Sequence, residues 1–249
     1  MRFVLSFTAL AIAAAALTAC GGSDLADSLN IGSPRARLVN AMPNGPSVQL
    51  YRNDNLQTDA GTLAYEQASK YFDTVTATST WSLRDASAGT QVGSTSMRVV
   101  GSTRYTLVAF PGAGTQADMV QFSDPYDFAL GKKNARLRVV NGSANAGAVD
   151  VYVTALNADL SSATPVIGSV GYEGVGPSSG ADSYVLGAGS YKLVVTAAGT
   201  KTVYFEGTLT AKDDDDLLLV TLPTSSTSGD IKVLEVPSDS DESNFEIPG

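Results

Sequence analysis

Residues 37–51 read RLVNAMPNGPSVQLY, and residues 138–152 read RVVNGSANAGAVDVY. At an offset of 101, Arg37, Val39, Asn40, Asn44, Val48 and Tyr51 return as Arg138, Val140, Asn141, Asn145, Val149 and Tyr152. Each copy is a short apolar run, a cluster of turn-forming residues and a second, alternating run. That is the pattern of two strands joined by a turn. A recurrence at about a hundred residues implies two tandem domains rather than a solenoid of short repeats.

The correspondence continues down the chain in the same order. WSLRDASAGT at Trp81–Thr90 aligns with YKLVVTAAGT at Tyr191–Thr200, at an offset of 110. Leu107, Val108, Pro111, Asp118 and Pro125 then align with Leu219, Val220, Pro223, Asp230 and Pro237, at 112. The domains are expected at 35–127 and 134–237, with a short polar joint at Gly131–Asn134. The second copy carries its extra residues between Tyr152 and Tyr191, where added loop length costs little.

In the second copy, strands are predicted at 135–141, 148–154, 165–172, 183–186, 190–197, 202–210, 216–222 and 231–236. RYTLVAF at Arg104–Phe110 is apolar at nearly every position and reads as a central strand. The fold class is all-β. About seven strands in some hundred residues is the size of an immunoglobulin-like β-sandwich, with a transthyretin-like topology as the alternative.

The run RVVNGSANAGAVDVYV at Arg138–Val153 resembles the opening strand–loop–strand of the domain of unknown function 4397 family. Val149-Asp150-Val151-Tyr152 carries the match, and Ala188–Tyr191 resembles the family's small-small-x-Tyr strand entry. The first copy departs from it at Gln49, which stands where the second has Asp150. The resemblance implies tandem β-sandwich domains on envelope or secreted proteins and assigns no catalytic residue.

Ahead of the repeats, Arg2 precedes the apolar run FVLSFTALAIAAAA at 3–16, which is too short to span a bilayer and suits a signal peptide. Leu17-Thr18-Ala19-Cys20 resembles the lipobox of bacterial lipoproteins. The resemblance implies removal of residues 1–19, lipidation of Cys20 and attachment to the membrane through that lipid. Cys20 is the sole cysteine, so lipidation would consume the one thiol that an oxidising envelope makes a liability. Gly21 in place of Asp implies the outer membrane. Residues 20–34 then read as a flexible tether, and SDSDESNFEIPG at 238–249 as an acidic, disordered tail.

Composition narrows the function. A formal charge of −9 argues against nucleic acid, which demands a basic patch. There is no histidine, so Ser-His-Asp and Cys-His catalysis and histidine metal sites are excluded. No cofactor motif occurs. The reading is a non-catalytic binding or structural module, with an envelope protein or polysaccharide as partner. The alternatives are a carbohydrate- or calcium-binding adhesion module and a hydrolase built on two carboxylates.

Candidate residues follow from those readings. Asp159, Tyr172 and Glu173, in the long loop 153–182, are the binding candidates, because loops on rigid scaffolds carry function. Tyr172 and Tyr126 are without a counterpart in the alignment above. Asp213, Asp214, Asp215 and Asp216 offer hard oxygen ligands to calcium, against the simpler reading of a solvated hairpin turn. Trp81, Tyr51 and Tyr152 are expected in the core. Asp150 is expected to pair with Arg138 across neighbouring strands, and Asn141–Ser143 reads as turn chemistry rather than a glycosylation site.

Overall fold

The structure is a computed structural model and describes residues 32–114, 116–124, 133–178, 183–237 and 245–249. The leader 1–19, Cys20, the tether up to residue 31, Tyr126 and residues 238–244 lie outside these. The described chain is all-β, with single 3₁₀ turns at Thr58–Ala60 and Leu160–Ser162.

In the first half the strands are β1 (Arg35–Asn40), β2 (Val48–Arg52), β3 (Asn55–Leu56), β4 (Thr62–Leu63), β5 (Phe72–Asp73), β6 (Thr78–Asp85), β7 (Gln91–Arg98), β8 (Arg104–Pro111) and β9 (Ala117–Asp124). In the second they are β10 (Asn134–Asn141), β11 (Val149–Thr154), β12 (Ile167–Val170), β13 (Val175–Gly176), β14 (Tyr184–Gly187), β15 (Gly189–Ala197), β16 (Val203–Ala211), β17 (Asp216–Pro223), β18 (Ile231–Pro237) and β19 (Phe245–Glu246). Within the long segment 153–182, β12 falls inside the strand predicted at 165–172, and β13 follows it outside any predicted strand.

Four sheets form. Inner sheet I has the order β5-β1-β8-β9, and outer sheet I has β3-β2-β6-β7 with β4 also on β2. Inner sheet II has the order β13-β10-β17-β18-β19 with β14 also on β10, and outer sheet II has β12-β11-β15-β16. In both halves the first strand runs parallel to the penultimate long one, β1 with β8 and β10 with β17.

Alternation along these strands builds three cores. Ala36, Leu38, Leu50, Trp81, Leu83 and Leu107 fill the space between the sheets of the first half. Leu137, Val149, Val151, Leu193, Leu209 and Leu219 fill that of the second. The opposite faces of the two inner sheets meet in a third cluster, with Val39, Val108, Phe110 and Phe122 against Val140, Leu218, Val220 and Leu234. This seam is why RYTLVAF is apolar throughout: Leu107 and Ala109 face their own core, while Val108 and Phe110 face the other half.

Strand register corrects the alignment in two places. β11 pairs Val153 with Leu193 where β2 pairs Arg52 with Trp81, so Trp81 corresponds to Leu193, and not to Tyr191. β17 pairs Leu222 with Lys232 where β8 pairs Phe110 with Asp118, so Asp118 corresponds to Lys232, and not to Asp230. The β17–β18 hairpin loop is two residues longer than that of β8–β9, which shifts the positions after it, while chance identities in the β6–β7 turn displace Trp81.

Trp81 lies in the core as expected. Tyr152 is buried too, at 2% exposure, and Tyr51 is half-buried, though neither joins the apolar clusters that take Leu50 and Val151 beside them. Both rings lie under cations, with the Arg84 guanidinium 4.2 Å from Tyr51 and the Lys201 ammonium 4.3 Å from Tyr152. The ends of the body are also better held than their composition suggests. The Gly32 amide donates to Ser102 Oγ at 2.9 Å, and the Thr74 amide to the Pro34 carbonyl at 2.9 Å. Residues 245–249, expected in a disordered tail, add β19 to the edge of β18, and Ile247 is buried in the second core. A single aliphatic side chain with an open flank to enter outweighs the surrounding acidity.

Candidate functional site

The repeated Arg and Asn of the opening strands position the candidate site. Asn40 and Asn141 are fully buried at the ends of β1 and β10. The Asn141 side-chain amide donates to the carbonyls of Gly147 (2.7 Å) and Val170 (2.9 Å), and its Oδ1 accepts from the Ser143 amide (3.0 Å) and the Thr221 hydroxyl (2.9 Å). Asn40 makes the corresponding bonds to Pro46 (3.3 Å), Leu63 (3.1 Å) and Met42 (3.1 Å). An amide that both donates and accepts can tie two loops to one strand end, which no apolar residue does.

Each asparagine's backbone then holds a tight turn. The Glu66 amide donates to the Asn40 carbonyl at 2.9 Å, and the Glu173 amide to the Asn141 carbonyl at 2.8 Å. Glu66 and Glu173 both sit in the left-handed region, at φ 69° and 61°. The turns carry Tyr65-Glu66 and Tyr172-Glu173 to two corners of the seam. Tyr172 therefore has a counterpart, Tyr65. The recurring Tyr-Glu pair was the available signal, and unequal spacing from the preceding asparagine hid it.

Across the seam, each tyrosine docks on the other half. Tyr65 Oη donates to the Pro223 carbonyl at 3.3 Å, and Tyr172 Oη to the Pro111 carbonyl at 3.4 Å. The Tyr172 ring stands edge-on to Phe110 with centroids 5.8 Å apart. At the Tyr65 corner, the Lys232 ammonium lies 2.5 Å from Glu66 and 3.2 Å from Glu246. Burial alone would lower the Lys232 pKa, but the two carboxylates hold it above the usual value. At the Tyr172 corner the corresponding position is Asp118. Burial first, and Asp118 second, push the Glu173 carboxyl up. Burial, Glu173 and Asp118 raise the Tyr172 phenol to about 12. Tyr65 is likewise pushed up to about 12 by burial and Glu66, against the opposing pull of Lys232.

Two arginines close the seam between these corners. Arg37 donates to the Pro237 carbonyl (3.2 Å) and to Thr106 Oγ1 (2.8 Å), under the Tyr71 ring. Arg138 donates to the carbonyls of Ser123 (2.6 Å) and Pro177 (3.1 Å), beside Phe122. Ser123 and Pro237 occupy corresponding register positions on β9 and β18, so the two clasps mirror one another. The expected Asp150–Arg138 pair does not form, because the residues lie on different sheets. Asp150 instead accepts from the amides of Ser169 (2.7 Å) and Gly199 (2.8 Å).

The remaining candidates separate. Asp159 is exposed and caps a 3₁₀ turn, accepting from the Ser161 amide at 2.9 Å and its hydroxyl at 2.7 Å, which lowers its pKa. No contact joins Asp159 to Tyr172 or Glu173 among the described residues. The four aspartates at 213–216 diverge rather than converge. Asp213 accepts from the Lys133 amide, Asp215 from the Lys212 amide (2.6 Å), and Asp214 is exposed at φ 67°. Asp216 bridges Arg104 (2.8 Å) and Arg136 (3.2 Å). A tight turn fans consecutive side chains apart, so the run forms a turn and an ion pair in place of a calcium cage.

Residues 34–152 match the model of a family described as a domain of unknown function (DUF4397). The match covers the first half and runs on through β10 into β11. No curated protein matches the chain.

Proposed function

We propose that the chain is a lipid-anchored envelope protein whose two halves are duplicated β-sandwich domains, immunoglobulin-like or transthyretin-like, acting as a non-catalytic binding or structural scaffold at the outer membrane. Leu17–Cys20 supports the address. The recurring order of strands supports the duplication.

The observation that carries the scaffold reading is the seam. Two apolar sheet faces cover one another, and Arg37, Arg138 and the Arg104–Asp216–Arg136 cluster bind them at their edges. Such an interface makes one body of two units and holds the Tyr172–Glu173 corner in place for a partner. The test is mass spectrometry of the mature protein from fractionated cells, with Cys20→Ser as comparison, and capture of envelope proteins or glycans by the intact body. Diacylglycerol on Cys20 and an outer-membrane distribution are the expected result. An unlipidated protein in the medium would overturn the address.

A further inference from the structure

The open flank of the second half holds a segment with no counterpart among the described residues of the first half. β19 lies antiparallel on β18, with Glu246 opposite Leu234 and Phe245 opposite Glu235. The Ile247 amide donates to the Val233 carbonyl at 2.9 Å, and its side chain is 1% exposed in the core that holds Phe205 and Leu209. Glu246 reaches Lys232 at 3.2 Å. On the opposite bank, β16 places Gly207 against the segment. A Cβ at 207 would stand 2.6 Å from the Pro248 carbonyl, so only glycine admits a chain there. The corresponding flank of the first half is shut, since a Cβ on Gly93 of β7 would stand 2.6 Å from the Ala117 carbonyl of β9.

A sheet edge that accepts an added strand, with one apolar pocket and one charge beside it, is the geometry of peptide recognition by β-augmentation. Main-chain bonds supply affinity for any extended segment, and the pocket and Lys232 supply the preference. The seated segment shows the pattern that fits: a carboxylate, then an aliphatic side chain, then Pro and Gly. Its hold consists of a two-residue ladder, one buried side chain and a half-exposed ion pair, which is the weakly held end of a protein's range.

We propose that the groove between β16 and β18 is a peptide-binding site, filled in cis by Phe245–Gly249, that exchanges this segment for an extended carboxylate–aliphatic–Pro stretch of a second polypeptide. The proposal rests on the reading of the chain as a binding scaffold, and it gives that scaffold a site and a ligand chemistry.

The probe is a fluorescent peptide, Ser-Asn-Phe-Glu-Ile-Pro-Gly, titrated into the full chain and into its Ile247→Asp variant, with anisotropy as the readout. The variant expels its own segment, so at least tenfold tighter binding than to the unaltered chain is expected. Adding Gly207→Val to the variant abolishes it, and a peptide with Asp in place of Ile does not bind. A folded variant that binds no tighter than the unaltered chain overturns the proposal, as does binding indifferent to Gly207→Val. If Ile247→Asp lowers the β signal in circular dichroism, recovery of that signal on adding the peptide supports the site, and failure to recover overturns it. Because the assay uses the purified chain, its failure leaves the lipid and envelope measurements untouched and is distinguishable from theirs.

Discussion

The two tyrosine corners of the seam are built alike and charged differently. Each has a buried asparagine, a left-handed glutamate and a tyrosine docked on a proline carbonyl of the other half. At one corner the position facing the glutamate is Lys232, and at the other it is Asp118. At the starts of β8 and β17, the corresponding residues Arg104 and Asp216 carry opposite charges and pair with each other at 2.8 Å. Two identical halves would set like against like at that point. Divergence in sequence has thus let the halves bind as unlike partners, and has left one corner neutralised and the other acidic.

Breaking the asparagines should have the largest effect. Asn141→Ala orphans the Gly147 carbonyl, the buried Val170 carbonyl, the Ser143 amide and the Thr221 hydroxyl, and is expected to cost about 3 kcal/mol in urea unfolding. Asn40→Ala, without a hydroxyl partner, should cost about 2 kcal/mol. Equal losses would show that the two turns are held by something other than these amides. Lys232→Ala leaves Glu66 and Glu246 facing each other and should cost about 1 kcal/mol, an effect that high salt reduces.

Asp118→Lys sharpens the comparison by giving the acidic corner the charge of its counterpart. A gain of about 0.5 kcal/mol at neutral pH is expected, and a loss would refute the correspondence. The smallest effect is a pH slope. Glu173 holds its proton to higher pH in the folded chain than in the unfolded one. Its contribution is therefore present below the ordinary value of 4.5 and is lost as the pH rises through that value towards the raised folded one. Glu173→Gln should flatten stability against pH just above 4.5. Asp159, with its lowered pKa, acts in the opposite sense, and its contribution is lost as the pH falls.

Much of the strand pattern was legible in the chain. β10, β11, β15, β16 and β17 fall within about two residues of their expected places, because alternation and turn residues are local signals. The binding candidates were legible only in part. Tyr172 and Glu173 are brought to one corner, but Asp118 and Lys232 enter through a register shift that identities in the turns disguise. Asp159 caps its own turn, and the aspartate run serves a hairpin, because side chains adjacent in sequence point apart in space.

The sequence alone determined that the chain is all-β, that its opening motif occurs twice, and that histidine chemistry is absent. Those properties follow from composition and from periodicities a few residues long. Only the tertiary structure decided what covers the second face of RYTLVAF, where Arg37 and Arg138 reach, which charge opposes each glutamate, and that Ile247 closes the second core. An apolar side chain records that it must leave water, and a charged one that it needs a partner. Neither records which of many distant surfaces will meet that need, since burial is non-directional and a partner is chosen by packing.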